Sequence, residues 1–265
     1  MSIPPVENRP MGGGPKMTSD AVVMDVSRDW AIACDVQRRF MHEIDRPLET
    51  FEFSGRCRQM LELGGDCYDF APLQDDQLAV SVGDASGKSV AAALMISNVQ
   101  SSLRTVMAFG ETDPAAALRI VNRQVYASSL PGCYATLFYG ILDGPTRTLR
   151  YVNAGHNPPV VIRQDGSVAW LETGGAPLGM FGDANYQEGR LRLDPRDLVV
   201  AYTDGVIEAV NSAGEEWGVE GLLRVAFQNR TQCADDIVHA IFTSMYKYSP
   251  GRQTDDATVV VARAL

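Results

Sequence analysis

The sequence lacks any long apolar run. Its longest, such as Val90 to Ile96, extend for about seven residues among polar neighbours, far short of the ~18 needed to span a bilayer as a helix. It also lacks a lysine/arginine block, and 33 acidic against 23 basic residues leave a formal net charge of −10. Nothing in it would overcome repulsion from a phosphate backbone, which excludes nucleic acid as a partner, whereas hard cations suit an acidic surface. Cysteine is sparse: Cys34, Cys57, Cys67, Cys133 and Cys233 stand singly, odd in number and without C-x-x-C spacing, against a disulfide framework or a thiolate zinc site. The three histidines, His42, His156 and His239, form no H-E-x-x-H. There is no G-x-S-x-G elbow, and Gly83 to Lys88 lacks the full G-x-x-x-x-G-K-[ST] spacing of a nucleotide-binding loop. The amino-terminal MSIPPVENRPMGGGPK has no apolar secretory stretch, so the expected location is the cytoplasm, without membrane insertion.

What is present is ordinary globular material, 265 residues with 45% hydrophobic and 21% charged content, enough to bury a core without covalent staples. Three spans are expected. Residues 1–19, dominated by proline and glycine, read as a disordered leader. Residues 20–46 carry Val22, Val26, Trp30, Cys34, Val36, Phe40 and Ile44 near helical spacing with Pro47 as a stop, and read as a helical segment for packing, regulation or dimerisation. Residues 47–265 show no internal repeat and read as one domain. Within it Leu78, Val80 and Val82 alternate as a strand, and helices follow over Ser89–Phe109 and from Asp113, an N-cap before Pro114. A run of antiparallel hairpins is then expected between Tyr134 and Tyr202, followed by a helix over Ala234–Tyr246 and a last strand over Ala257–Ala262. Runs of strands and runs of helices are segregated, so the fold class is α+β.

The chemical signal is where carboxylates fall. Asp84 is expected just after the Leu78–Val82 strand, Asp204 just after Leu198–Ala201, and Asp255-Asp256 just before the last strand. Any one of these alone is explained by turn chemistry. Three of them converging would be costly without a hard divalent cation, which takes oxygen ligands held on rigid elements. Glycines flank them at Gly64-Gly65-Asp66, Gly83-Asp84 and Asp204-Gly205, as close backbone approach to an ion or phosphate requires.

Taken in order, six segments resemble the motifs of the bacterial PP2C-like (PPM) serine/threonine phosphatases of the SpoIIE/RsbU type. They are Gly64-Gly65-Asp66-Cys67-Tyr68-Asp69-Phe70, Val82-Gly83-Asp84-Ala85-Ser86-Gly87-Lys88, Ala135-Thr136-Leu137-Phe138-Tyr139, Asn153-Ala154-Gly155-His156-Asn157-Pro158-Pro159, Tyr202-Thr203-Asp204-Gly205-Val206-Ile207-Glu208-Ala209 and Asp255-Asp256-Ala257-Thr258. The resemblance covers about Ala31 to Leu265. It implies an αββα sandwich, two antiparallel sheets flanked by helices, with a pair of Mn²⁺ or Mg²⁺ ions at one edge. It implies Asp84 as the carboxylate bridging both metals, Ala85 as the donor of a backbone carbonyl, Asp204 and Asp255 as ligands of the first metal, and Asp66 as the acid holding a metal-bound water near the second. Asp84, Asp204 and Asp255 are thus the expected catalytic set, with Asp256, Gly65, Ser86 and His156 as further candidates.

The implied reaction is hydrolysis of a phosphoserine or phosphothreonine by direct attack of metal-activated water, with no phosphoenzyme. The implied substrate is a phosphorylated STAS-domain anti-anti-sigma factor in a partner-switching pathway of the sigma-factor and stress-response kind. Two alternatives stand beside it, a broad-specificity metal phosphohydrolase and an inactive regulatory binding module of the same fold. The pattern departs from the wider family at Ser86, where a histidine is usual, and in the absence of an evident phosphate-binding arginine; within the branch Cys67 and Ser89 are unusual. His156 is read first as a turn-stabilising hydrogen-bonder and second as an acid. The helices after Asp84 resemble the segment through which a regulator activates relatives, which makes the 20–46 helix a candidate regulatory or homodimer element.

Overall fold

The computed structural model describes residues 19–41, 48–88, 90–251 and 253–265, with side chains of the first helix from Val26 onward. The expected leader up to residue 18, the end of the 20–46 segment with His42, Ile44 and the Pro47 stop, and Ser89 lie outside the described residues. Among the described residues no helix is long and apolar enough to cross a membrane.

The elements are α1 (Ser19–Arg38), β1 (Phe51–Arg58), β2 (Asp66–Pro72), β3 (Gln77–Ala85), α2 (Val90–Ala108), α3 (Pro114–Ser128), β4 (Ala135–Asp143), β5 (Thr148–Ala154), β6 (Val160–Ile162), β7 (Val168–Trp170), β8 (Gly174–Gly175), β9 (Gly189–Arg192), β10 (Leu198–Tyr202), α4 (Asp204–Ile207), α5 (Gly218–Asn229), α6 (Ala234–Tyr248) and β11 (Ala257–Ala264). One sheet runs β1-β11-β10-β6-β7 and the other β2-β3-β4-β5-β8, with β9 paired to β5.

Alternation along the strands builds three apolar layers. Leu78, Val80 and Val82 of β3, Phe138 and Leu142 of β4, Val199 and Ala201 of β10, and Val260 and Ala262 of β11 meet between the sheets. The opposite faces are covered by helices. Leu137, Tyr139 and Ile141 of β4 pack under Ile96, Val99, Leu118 and Val121 of α2 and α3, and Val200, Val259 and Val261 pack under Leu222, Ile237 and Ile241 of α5 and α6. Being buried on both faces, β10 and β11 read as near-continuous Val/Ala runs. The result is the αββα sandwich of the α+β class. Helix α3 begins as expected: Asp113 Oδ1 accepts from the Ala115 and Ala116 amides at 2.8 and 3.1 Å, and Pro114 opens the helix.

Three expectations are corrected. The strand carrying Asp84 does not stop at Val82 but continues to Ala85, because β2 pairs with it as far as Asp84 and β4 as far as Ala85. The strands from β4 to β10 are not a simple run of hairpins: the chain leaves one sheet after β5, pairs β6 with β10 in the other, and returns to make the parallel β5·β8 pair. In α1 the buried residues are Cys34 and Gln37, while Val26, Trp30 and Val36 are exposed. Of the expected apolar face Cys34 packs, on the same side of the helix as Gln37, while Trp30 and Val26, one and two turns earlier, stay exposed.

Candidate metal centre

The carboxylates gather because four strand ends lie at the same edge of the sandwich. Asp66 opens β2 and Asp84 sits one residue from the end of β3, directly opposite each other in register. In the other sheet β10 ends at Tyr202 and β11 begins at Ala257, placing Thr203-Asp204 and Asp255-Asp256 side by side. Asp204 is the first residue of the short α4.

Each carboxylate has a different surrounding. Asp84 is half-buried and its carboxylate accepts no hydrogen bond among the described residues; burial first, then the charges of Asp204, Asp255 and Asp256, push its pKa up to about 7, against a smaller pull from Lys88. Asp204 is raised in the same way, by burial and then by Asp255. Asp255 Oδ2 lies 2.7 Å from Lys88 Nζ, which also donates to the Thr254 carbonyl at 2.8 Å. That bond to Asp255 raises the lysine pKa.

Asp66 is almost fully buried, and its Oδ2 accepts from the Thr203 and Thr258 hydroxyls at 2.7 and 2.6 Å. Burial pushes its pKa well above the ordinary carboxylate range despite these two donors. The side chain ties β2 of one sheet to both site-bearing strands of the other. Asp256 spends both oxygens on backbone amides, Oδ1 on Met60 and Oδ2 on Gly65, each at 2.7 Å. Asp255 is therefore the member of the pair with an oxygen facing a cation.

Backbone shape leaves room beside Asp84. A Cβ on Gly65 would lie 3.1 Å from the Ala85 carbonyl oxygen and 3.4 Å from Asp84 Oδ1, so glycine here keeps both oxygens uncovered. The Gly65 carbonyl in turn accepts from the Ala85 amide at 3.0 Å. At Gly205 a Cβ would fall 1.9 Å from the Asp256 carbonyl oxygen, which excludes any larger residue without moving the loop. Ser86 Oγ accepts from the Tyr134 amide at 3.0 Å and so anchors its turn. His156 is buried; its Nδ1 lies 2.8 Å from Thr136 Oγ1, and Thr136 Oγ1 lies 3.4 Å from the Asp84 carbonyl. Nε2 has no partner of hydrogen-bond geometry, and burial lowers the imidazole pKa to about 4, outweighing the backbone of Tyr202. A neutral, enclosed ring of this kind suits the bonding reading over that of an acid.

Among the described residues, no three or more His, Cys, Asp or Glu side chains are drawn tightly enough together to enclose an ion as they stand. The donor set nevertheless fits hard divalent cations. It consists of carboxylates raised by burial and then by one another's charge, a glycine-cleared carbonyl beside them, and a lysine drawn to Asp255.

Residues without an assigned role in the sequence also shape this edge. Thr203 and Thr258 hold Asp66, and Thr203 Oγ1 also accepts from the Thr258 amide at 2.9 Å. Gln37 of α1 grips Gly64, donating from Nε2 to its carbonyl at 2.7 Å and accepting from its amide at 3.2 Å, while Gln59 donates to Gln37 Oε1 at 2.9 Å. The threonines lie inside the quoted motifs, so a signal existed; Gln37 had none.

The family model of Stage II sporulation protein E (SpoIIE) matches residues 74–265. The chain is 27% identical over 254 residues to Protein IcfG of Synechocystis, covering 85% of this chain and 40% of that protein. It is 24% identical to the phosphoserine phosphatase RsbU of Bacillus subtilis, covering 93% and 73% of the two. Among solved structures, the SiaA-PP2C domain of Pseudomonas aeruginosa superposes with a TM-score of 0.79 at 20% identity, over 92% of this chain and 98% of that one. The RsbU and RsbW domains of Rv1364c from Mycobacterium tuberculosis give 0.68 at 27% identity, over 81% and 60%. With the SpoIIE match running through the Asp84, Asp204 and Asp255 segments on a sandwich of PP2C type, this chain belongs to the SpoIIE family.

Proposed function

We propose that the chain is a metal-dependent protein serine/threonine phosphatase. The observation that carries this reading is the set of carboxylates at one edge of the sandwich, two of them raised by burial and then by neighbouring carboxylates, beside a carbonyl that Gly65 leaves uncovered. In this reading Asp84, Asp204, Asp255 and the Ala85 carbonyl would hold two cations, with Asp84 shared between them. Asp66, locked between Thr203 and Thr258, ties the two sheets together at that edge and would serve the second cation through a bound water. A pair of Mn²⁺ or Mg²⁺ ions supplies a lowered proton affinity for water and neutralises phosphate charge. The protein's part is to hold the oxygens, to keep Asp256 on the amides of Met60 and Gly65, and to release Lys88 from Asp255 toward the incoming phosphate. Lys88 thus takes up the role for which no arginine is evident.

The substrate we propose is a phosphorylated STAS-domain protein, in keeping with the likeness to RsbU and to a chain that joins RsbU and RsbW domains. The phosphatase domain spans residues 47–265 and acts in the cytoplasm. The helix preceding it regulates the site through Gln37 and pairs with a second copy through its exposed Val26, Trp30, Ile32 and Val36. The deciding experiment incubates the protein with phosphorylated STAS domains and with a small aryl phosphate, with and without Mn²⁺. Mn²⁺-dependent release from the phosphoprotein at a far higher kcat/KM supports the proposal. Equal rates point to a broad phosphohydrolase, and no release from either points to a binding module.

A further inference from the structure

At the end of the β1-β11-β10-β6-β7 sheet opposite the carboxylates lies a cavity of 370 Å³ lined by Gln164, Arg196, Arg230, Thr231 and Arg263. The strand ends fix its position: Arg196 precedes β10 while Asp204 follows it, and Arg263 lies near the far end of β11 while Asp255 precedes its start. At roughly 3.3 Å per residue along β11, the two ends are about 25 Å apart. Three of the five lining residues are arginines, in a chain whose net charge is −10.

These guanidiniums are oriented by contacts that leave donors over. Arg263 sends Nε and Nη2 to Glu52 Oε2, each at 2.9 Å. Arg230 lies over the Phe227 ring, 3.9 Å from its centre, and donates Nη1 to the Phe227 carbonyl at 2.9 Å. Arg196 is held by its backbone, in a left-handed conformation with φ 72° and with its amide 2.9 Å from the Ala264 carbonyl. Among the described residues neither Arg196 nor Arg230 has a carboxylate within ion-pair distance. The neighbouring Asp197 is committed to Arg163 and to the Asp194 amide. Two unneutralised guanidinium forks, a third half-used one, a hydroxyl and a side-chain amide around one concavity make a donor set matched to a tetrahedral oxyanion.

We propose that this cavity binds a phosphate group, with Arg196 and Arg230 as the principal contacts and Arg263, Thr231 and Gln164 completing the donors. The group arrives either as inorganic phosphate or on a small phosphorylated molecule, and the site is independent of the catalytic reading above. The test follows arginine Nε–H signals by NMR in the full Mg²⁺-loaded chain, titrated with inorganic phosphate and with methylphosphonate, a non-hydrolysable monoester mimic, at ionic strength held constant with chloride. Saturating shifts of Arg196 and Arg230, weakened about tenfold or more in Arg196→Asn and in Arg230→Gln, are expected. Asparagine tolerates the left-handed backbone at 196, so the first variant keeps the loop. Tighter phosphate binding assigns the free anion, and tighter methylphosphonate binding assigns a monoester. Shifts that drift linearly as in chloride alone, or an affinity unchanged in both variants, overturn the proposal.

Discussion

Asp84 and Asp66 face each other across β2 and β3, and Asp84 also feels three further carboxylates. An ionised Asp84 is therefore a cost to the metal-free fold. Its folded pKa of about 7 exceeds the ordinary 3.8, so between those values the native state binds more protons than the unfolded chain. Metal-free stability should fall as pH rises from about 4 to about 7, and Mn²⁺ should restore it at pH 8 by binding the ionised native state; urea midpoints with and without metal at pH 5 and 8 check both. Asp84→Asn should lose activity by about two orders of magnitude or more while the metal-free variant melts no lower than the parent at pH 8. Calorimetric Mn²⁺ titration and thermal melts in chelator separate the two effects. Lys88→Met removes a cation that competes for Asp255 and should tighten Mn²⁺ binding several-fold in the same titration, while raising KM for the phosphoprotein. At this scale the positions of Asp204 and Asp255-Asp256 were legible because Asp-Gly and Asp-Asp next to apolar runs mark strand edges. Thr203 and Thr258 were marked only by the motifs that contain them; their role was not, since a buried threonine in a β-rich segment reads as packing until its hydroxyl is seen on Asp66.

Among the elements, α1 runs over Ser19–Arg38 of the expected 20–46 segment, and of its expected apolar face only Cys34 is buried among the described side chains. Trp30 and Val36 carry the apolar period, but the docking contact is a glutamine whose amide mirrors the peptide of Gly64. Gln37→Leu leaves that buried N–H and C=O without partners and should cost about 1–3 kcal/mol by urea denaturation. Because the next peptide, Gly65, holds Asp256, the same change should also weaken Mn²⁺ binding. Strands β1 and β2 were illegible for a related reason. Phe51–Arg58 carries Gly55 and two arginines, Asp66–Pro72 two aspartates and a proline, and pairing with β11 and β3 overrides those local preferences. Helix α5 starts without a side-chain cap at Trp217 and contains Gly218 and Gly221, so neither end announced itself.

For the whole molecule the α+β class was legible from the segregation of strand and helix runs, and the layered sandwich followed from resemblance. Strand order was not legible, because nothing local tells β6 to join β10 instead of β5. The layer between the sheets should dominate stability. Leu78→Ala, a fully buried site in that layer, should cost about 2–5 kcal/mol by urea denaturation without altering which metal the protein prefers.

Strand β11, the last element in chain order, is hydrogen-bonded on one side to β1 and on the other to β10. During synthesis the ribosome must deliver it before either neighbour can be sealed. A nascent chain stalled near residue 250 would present the edges of Phe51–Arg58 and Leu198–Tyr202 to chaperones and to sister chains, the interval in which this fold is most exposed to mispairing.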